Sequence, residues 1–204
     1  MLTPVIYLIR HGKTLYNQKG LFRGEANIPL VEEGFKDAEE IKKFLEEVKP
    51  SFIVSSDKKR ATQTANILAK GTDIEPTDTD QLRAWNLGKF SGQPKNEENL
   101  KELEKYINNP DESVPEGESL NEFKDRILPV LAECFEHAAK IGPGFVVAHS
   151  SVIHEVGTQL TGDHKSLVVK PGGVVAIGFD GHGNITAERI FKPLEHDESA
   201  ASVS

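Results

Sequence analysis

Apolar and polar residues alternate along this chain in blocks whose spacing switches between that of a strand and that of a helix. Residues 5–9 form a continuous β-rich apolar run, the pattern of a strand buried on both faces. A loop rich in Gly and Asn follows and ends near Pro29. Phe35, Ala38, Ile41, Phe44, Leu45 and Val48 then recur at helical spacing with Glu and Lys between them, until Pro50 stops the helix. Phe52-Ile53-Val54 reads as a second buried strand, and residues 58–70 as a helix closed by Gly71. The middle, residues 72–119, is less regular, with a helix expected over 96–107 and loop chemistry over 110–117. A long amphipathic helix carries Leu120, Phe123, Ile127, Leu131, Cys134 and Phe135 on one side. Phe145-Val146-Val147-Ala148 is a third buried strand, and residues 152–160 form another helix. Two last strands, 174–179 and 185–191, flank Asp180-Gly181-His182-Gly183-Asn184, a hairpin signal.

Strands alternating with helices predict an α/β fold with a mainly parallel sheet. No repeat or long linker divides the chain, so residues 1–193 are expected to form one domain, with 194–204 as a flexible polar tail. In such sheets ligands bind beyond the carboxyl ends of the strands. Arg10-His11 ends the first strand, Ser55-Ser56 the second and His149-Ser150 the third, so chemistry-bearing residues converge on one sheet edge.

Composition narrows the partners. Among 204 residues, 24 are Lys or Arg and 32 are Asp or Glu, for a net charge of −8. That balance argues against nucleic acid or an anionic membrane as partner, and any bound anion needs a local cluster of cations. The one cysteine, Cys134, excludes an internal disulfide framework and a multi-cysteine zinc site. No apolar run approaches membrane-spanning length, and the first residues lack the basic region of a signal peptide. The expectation is a soluble, cytoplasmic protein; the pattern points to no particular oligomeric state.

Several familiar motifs fail on inspection. Gly12-Lys13-Thr14 resembles the end of a phosphate-binding loop, but Tyr7 stands where the first glycine is required. Gly142-Pro143-Gly144 precedes a strand and has Val147 where a dinucleotide fingerprint has its third glycine. His154-Glu155 lacks the second histidine of a zinc protease, and the calcium-loop likeness of residues 180–184 is better explained by the hairpin.

What survives is Arg10-His11-Gly12-Lys13-Thr14 with Asn17, Ser55-Ser56-Asp57 followed by Arg60-Ala61-Thr62-Gln63-Thr64-Ala65, and Ala148-His149-Ser150. A neutral histidine is a nucleophile toward phosphorus if a carbonyl holds its other nitrogen and fixes the tautomer. Arginines offer permanently charged planar forks for phosphoryl oxygens. Gly12 is expected to let the chain turn so that backbone N–H groups face the anion. From spacing alone, a hydrogen-bonded core histidine and a solvated Arg60 account for these residues as well as a phosphate site does.

Taken together, the motifs resemble the histidine phosphatase (phosphoglycerate mutase-like) superfamily. Leu8-Ile9-Arg10-His11-Gly12-Lys13-Thr14 with Asn17 is similar to its signature, and residues 22–30 to the segment that follows. Residues 55–65 resemble its second arginine motif, Glu116-Gly117-Glu118-Ser119 its Gly-Glu-Ser turn, and Val146-Val147-Ala148-His149-Ser150 its second-histidine strand. The resemblance covers about residues 5–180 and implies a three-layer α/β/α sandwich. It implies that His11 attacks phosphorus while Arg10, Arg60 and His149 clamp the phosphoryl group. Asn17, Arg23, Gly24 and Ser150 fall at positions of substrate contact. No cofactor and no metal are implied, because arginine and histidine take the metal's part. The partner is a phosphorylated small molecule or a phosphohistidine.

One position departs from the pattern. Many members carry a glutamate proton donor after a Leu-Arg pair, and here Leu82-Arg83 is followed by Ala84. General acid catalysis is worth roughly 10²–10⁴ in rate, a loss that falls on alkyl esters more than on phosphoramidates. Glu118, Glu116, Asp57 and Asp80, in falling order, are candidate substitutes. The alternatives are a substrate with a good leaving group and a weakly active phospholigand-binding protein. Phosphatase is favoured over mutase because the segment between Gly92 and Ser119 is modest, whereas a mutase needs a shielded site.

Overall fold

Alternation along the central strands sets the layers. The computed structural model describes residues 3–163 and 166–193; the expected tail lies outside them. In chain order the elements are β1 (Thr3–Arg10), α1 (Leu15–Gln18), α2 (Glu32–Phe44), β2 (Phe52–Ser56), α3 (Lys59–Ala69) and β3 (Thr77–Thr79). After two short 3₁₀ turns come α4 (Glu97–Asn108), α5 (Leu120–Ile141), β4 (Gly144–Ala148), α6 (Ser150–Thr161), β5 (Val174–Phe179) and β6 (Ile185–Phe191). Sheet order is β3-β2-β4-β1-β5-β6. The first four strands run parallel and β5 and β6 antiparallel, a mixed and mostly parallel sheet.

Ile6, Leu8, Val146, Ala148, Val175 and Ile177 point to one face, where they pack with Phe123, Ile127 and Leu131 of α5 and Val152 and Val156 of α6. Tyr7, Ile9, Ile53, Phe145, Val147 and Val174 point to the other, against Ile41 of α2 and Ala61, Ala65 and Leu68 of α3. Side chains on a strand alternate faces, so a continuous apolar run in sequence becomes two cores, one on each side of the sheet. The result is the three-layer α/β/α arrangement.

Some boundaries differ from expectation. The α2 helix ends at Phe44 rather than near Pro50, and Phe35 and Phe44 are 40% and 44% exposed. Phe44 stacks on Phe191 of β6 at 4.6 Å between centroids. The proline disfavours helix at the residue before it, and Ser51 must already align with Pro143, to whose carbonyl its N–H donates (2.7 Å). The pattern missed β3, a short polar edge strand of Thr-Asp-Thr without an apolar residue. It also missed α1, one turn held by a reciprocal cap between Thr14 and Asn17. The β5–β6 hairpin is as expected: the Asp180 carboxylate accepts from the backbone N–H of His182 (2.8 Å) and Asn184 (2.9 Å).

Candidate active site

Register brings the two histidines together. Arg10 at the end of β1 pairs with Ala148 at the end of β4, so His11 and His149 leave adjacent strands side by side. The His11 N–H donates to the Ala148 carbonyl (3.1 Å), and the rings meet edge to face, 5.3 Å between centroids. His149 also precedes the first turn of α6, whose N-terminus faces the same space and favours an anion there.

The Nδ1 of His11 lies 2.7 Å from the Gly12 carbonyl. An oxygen can only accept, so Nδ1 carries the proton and Nε2 keeps its lone pair. Nε2 of His11 is buried and has no hydrogen-bond partner among the described residues; the same holds for Nε of Arg10, Nε of Arg60 and both ring nitrogens of His149. Buried polar atoms are rarely left unpaired, and here they gather in one place.

The arginines are held by backbone. Arg10 Nη1 donates to the Val169 carbonyl at 2.5 Å. Arg60 Nη1 donates to the Ala26 carbonyl (2.6 Å) and Nη2 to that of Gly24 (3.2 Å). Arg23 donates to the Ser150 hydroxyl at 3.3 Å. Burial, and then mutual repulsion, lowers Arg10 and Arg60 to about 9, and burial lowers Arg23 to about 10. All three remain charged at neutral pH. Burial first, and then the charge of Arg60 and its neighbours, pushes His11 and His149 well below the ordinary histidine range, so both rings are neutral. A protein of net charge −8 thus holds a compact cationic pocket.

The expected substrate-side residues are placed unevenly. Arg23, Gly24 and Ser150 line a cavity of about 210 Å³ together with His149 and Ala84. Apolar residues, among them Trp85 and Leu103, complete its lining. Asn17 is not in that lining: its Oδ1 accepts from the backbone and hydroxyl of Thr14 (3.0 and 2.8 Å), which shapes the loop after His11.

The structure brings none of the candidate acids to this cavity. Glu118 accepts from the Asn86 N–H (2.8 Å) and pairs with Arg126 at 2.6 Å. Arg126 in turn donates to the carbonyls of Gln81, Arg83 and Ala84. Glu118 therefore braces the loop that carries Ala84. Asp57 makes a forked pair with Arg83, whose hydrogen bonds lower its pKa. Glu116 is exposed, with a left-handed backbone (φ 64) at the turn that packs on Gly88. A Cβ on Gly117 would stand 2.3 Å from the Asn86 carbonyl, so the Gly-Glu-Ser turn serves to dock this loop. Ser119 then caps α5.

The expectation for Gly12 also needs correction. Its N–H donates to the Thr64 hydroxyl (3.2 Å) rather than pointing to an anion, and its φ is not left-handed. Glycine is required because a Cβ would stand 2.2 Å from the Gly34 carbonyl of α2.

The sequence assigned no individual role to three contributors. Asp37 is buried, accepts from the Lys13 N–H (2.8 Å) and partly offsets the lowering of Arg10. Its signal was present, since it lies four residues before Ile41 and so on the apolar face of α2. Thr64 lies one turn after Arg60 and accepts the Gly12 N–H. Lys95 lines the cavity, its ammonium 5.5 Å from the centre of the Phe22 ring, and no local pattern marked it. Among the described residues no group of three His, Cys, Asp or Glu side chains could hold a metal ion, and no helix is long and apolar enough to cross a membrane.

Comparison with known proteins is consistent with this geometry. The model of the histidine phosphatase superfamily (branch 1) matches residues 6–189. The chain belongs to this superfamily. It is 30% identical over 162 residues to a Bacillus subtilis (strain 168) protein named Uncharacterized phosphatase PhoE, covering 79% of this chain and 80% of that protein. It superposes on the phosphoglycerate mutase from Thermus thermophilus with a TM-score of 0.68 and 26% identity, over 92% of this chain and 99% of that one. The alpha-ribazole phosphatase from Shigella flexneri shares the fold at a TM-score of 0.76 and 22% identity, over 94% and 99% of the two chains. This superfamily member is therefore related to both phosphatases and mutases.

Proposed function

We propose that this superfamily member is a phosphatase that hydrolyses a phosphorylated small molecule, or a phosphohistidine, through a phosphohistidine intermediate on His11. The observation that carries the reading is the tautomer lock: Nδ1 bound to the Gly12 carbonyl leaves Nε2 unprotonated among the unpartnered nitrogens of Arg10, Arg60 and His149. A phosphoryl group among them supplies the acceptors these donors lack, and its phosphorus is the electrophile Nε2 lacks. As Nε2 bonds to phosphorus, the ring gains positive charge, and the Gly12 carbonyl stabilises the proton kept on Nδ1. The guanidiniums of Arg10 and Arg60 meet the charge on the equatorial oxygens without reorganising, because backbone carbonyls already hold them. This fixed charge is what a metal ion would otherwise supply, which supports a metal-independent reaction. Arg23, Ser150 and Gly24, around the cavity, take the substrate side.

A second reading, a weakly active phospholigand-binding protein, is favoured by Ala84, which lines the cavity where the superfamily places an acid. Mutase-type phosphotransfer is the third. One experiment separates them: product analysis over a panel of phosphomonoesters and a phosphohistidine peptide, without added metal, with His11→Ala as control. Phosphate release that the control abolishes, with acid-labile phosphate trapped on His11, supports the phosphatase. Transfer to an acceptor alcohol supports the mutase, and binding without turnover the phospholigand protein. Release that survives His11→Ala sinks the mechanism.

A further inference from the structure

We propose that Lys95 is the proton donor to the leaving group, in the place that Ala84 leaves without an acid. The proposal rests on the phosphatase reading above and deepens it.

The position of Lys95 is set by backbone on two sides. The Phe22 N–H donates to the Gln93 carbonyl, the Gly92 N–H to that of Phe22 and the Lys95 N–H to that of Gly20, each at 2.9 Å. Residues 92–95 are thereby clamped along the segment that carries Arg23. The ammonium lies over the Phe22 ring in the lining shared by Ala84, Arg23 and His149. Among the described residues, no carboxylate is in that lining. Glu118 and Asp57 are tied to arginines elsewhere, which leaves the Lys95 ammonium as the charged proton carrier in the lining beside Ala84.

An ordinary lysine holds its proton too tightly for this task. Lys95 is lowered to about 8, by desolvation first and then by repulsion from Arg23 and Arg10. A proton donor works best with a pKa near the working pH, and this environment moves the ammonium toward it. An arriving phosphate dianion favours the charged form, so the amine carries its proton when the ester bond starts to break.

The step balances. Nε2 of His11 forms a bond to phosphorus while the bond from phosphorus to the ester oxygen breaks, and that oxygen takes a proton from the Lys95 ammonium to leave as the alcohol. Water then attacks the phosphohistidine, and the neutral Lys95 amine accepts its proton. The P–N bond breaks, and phosphate, Nε2 and the ammonium are restored.

The test compares kcat and KM for p-nitrophenyl phosphate, whose leaving group departs as an anion, and for propyl phosphate, whose alkoxide must be protonated. Lys95→Met is expected to lower kcat on the propyl ester by roughly 10²–10⁴ while the aryl ester loses far less. Aryl activity doubles as the check that the variant is folded. Lys95→Arg keeps the charge but holds its proton too tightly; it is expected to restore KM and leave propyl kcat depressed. The basic limb of wild-type propyl kcat is expected to vanish in both variants. Equal losses on the two esters, recovery of propyl kcat in Lys95→Arg, or a loss selective for the propyl ester in His154→Gln instead would each overturn the role of Lys95 alone. A wild-type protein that hydrolyses neither ester overturns this proposal while the phosphatase reading stands or falls on the wider panel, and hydrolysis that survives His11→Ala overturns both.

Discussion

The Nδ1 of His11 sits 2.7 Å from the carbonyl of Gly12, the next residue in the chain, while the His11 ring lies edge to face with His149 from a strand 138 positions on. A local hydrogen bond fixes which ring nitrogen keeps its lone pair, and a long-range contact fixes where the ring lies.

Both histidines are neutral at a cost that depends on pH. Burial, then the charge of Arg60, depresses their folded pKa values well below 6.5. Below about pH 6.5 the unfolded chain therefore binds protons that the folded one refuses, and stability falls as pH falls. The slope is at most about 1.4 kcal/mol per pH unit for each ring until its folded pKa is reached. Thermal unfolding between pH 7 and 5 should show a decline that His149→Gln makes shallower; an unchanged slope would mean that His149 is not held neutral.

Crowded guanidiniums make the protein responsive to anions. Inorganic phosphate at about 100 times its Kd should stabilise the folded state by about 2.7 kcal/mol. Arg10→Ala and Arg60→Ala should each weaken phosphate binding about 10- to 100-fold, the worth of a charged hydrogen bond. Calorimetric titration measures this directly. Undiminished affinity in both variants would place the anion elsewhere.

Gly12→Ala should damage the fold rather than the chemistry alone. A methyl group there would stand 2.2 Å from the Gly34 carbonyl, and one on Gly34 would stand 2.0 Å from that of Lys13. Either substitution must push α2 away from the His11 loop, at a cost of about 1–3 kcal/mol or more. The melting temperature checks it.

Glu118 and Ala84 give opposite signatures. Glu118→Gln weakens the brace from Asn86 and Arg126 and should cost about 1–3 kcal/mol of stability, with the ratio of alkyl to aryl hydrolysis unchanged. Ala84→Glu should raise turnover of alkyl esters more than of phosphoramidates. Equal effects of Ala84→Glu on both would show that position 84 is not within reach of the leaving group.

Most of the order of elements, and which side chains gather in the cationic pocket, were legible in the chain. Continuous apolar runs mark the buried strands, helical spacing marks α2, α3, α5 and α6, and Arg10, His11, Arg60 and His149 follow from strand ends and motif. These signals are local, carried by periodicity and by residues a few positions apart. What they leave open is who pairs with whom. Glu118 and Asp57 look like available acids in sequence, and only the tertiary structure commits them to Arg126 and Arg83. Gly12 looks like a flexible turn, and only the approach of α2 shows that it is a glycine for lack of room. Lys95 has no pattern of its own; it reaches the cavity because residues 92–95 hydrogen-bond along residues 20–22, more than 70 positions earlier. Such contacts depend on how distant segments fill the same space, and the free energy of burying or pairing a side chain is set by that space rather than by its neighbours in the chain.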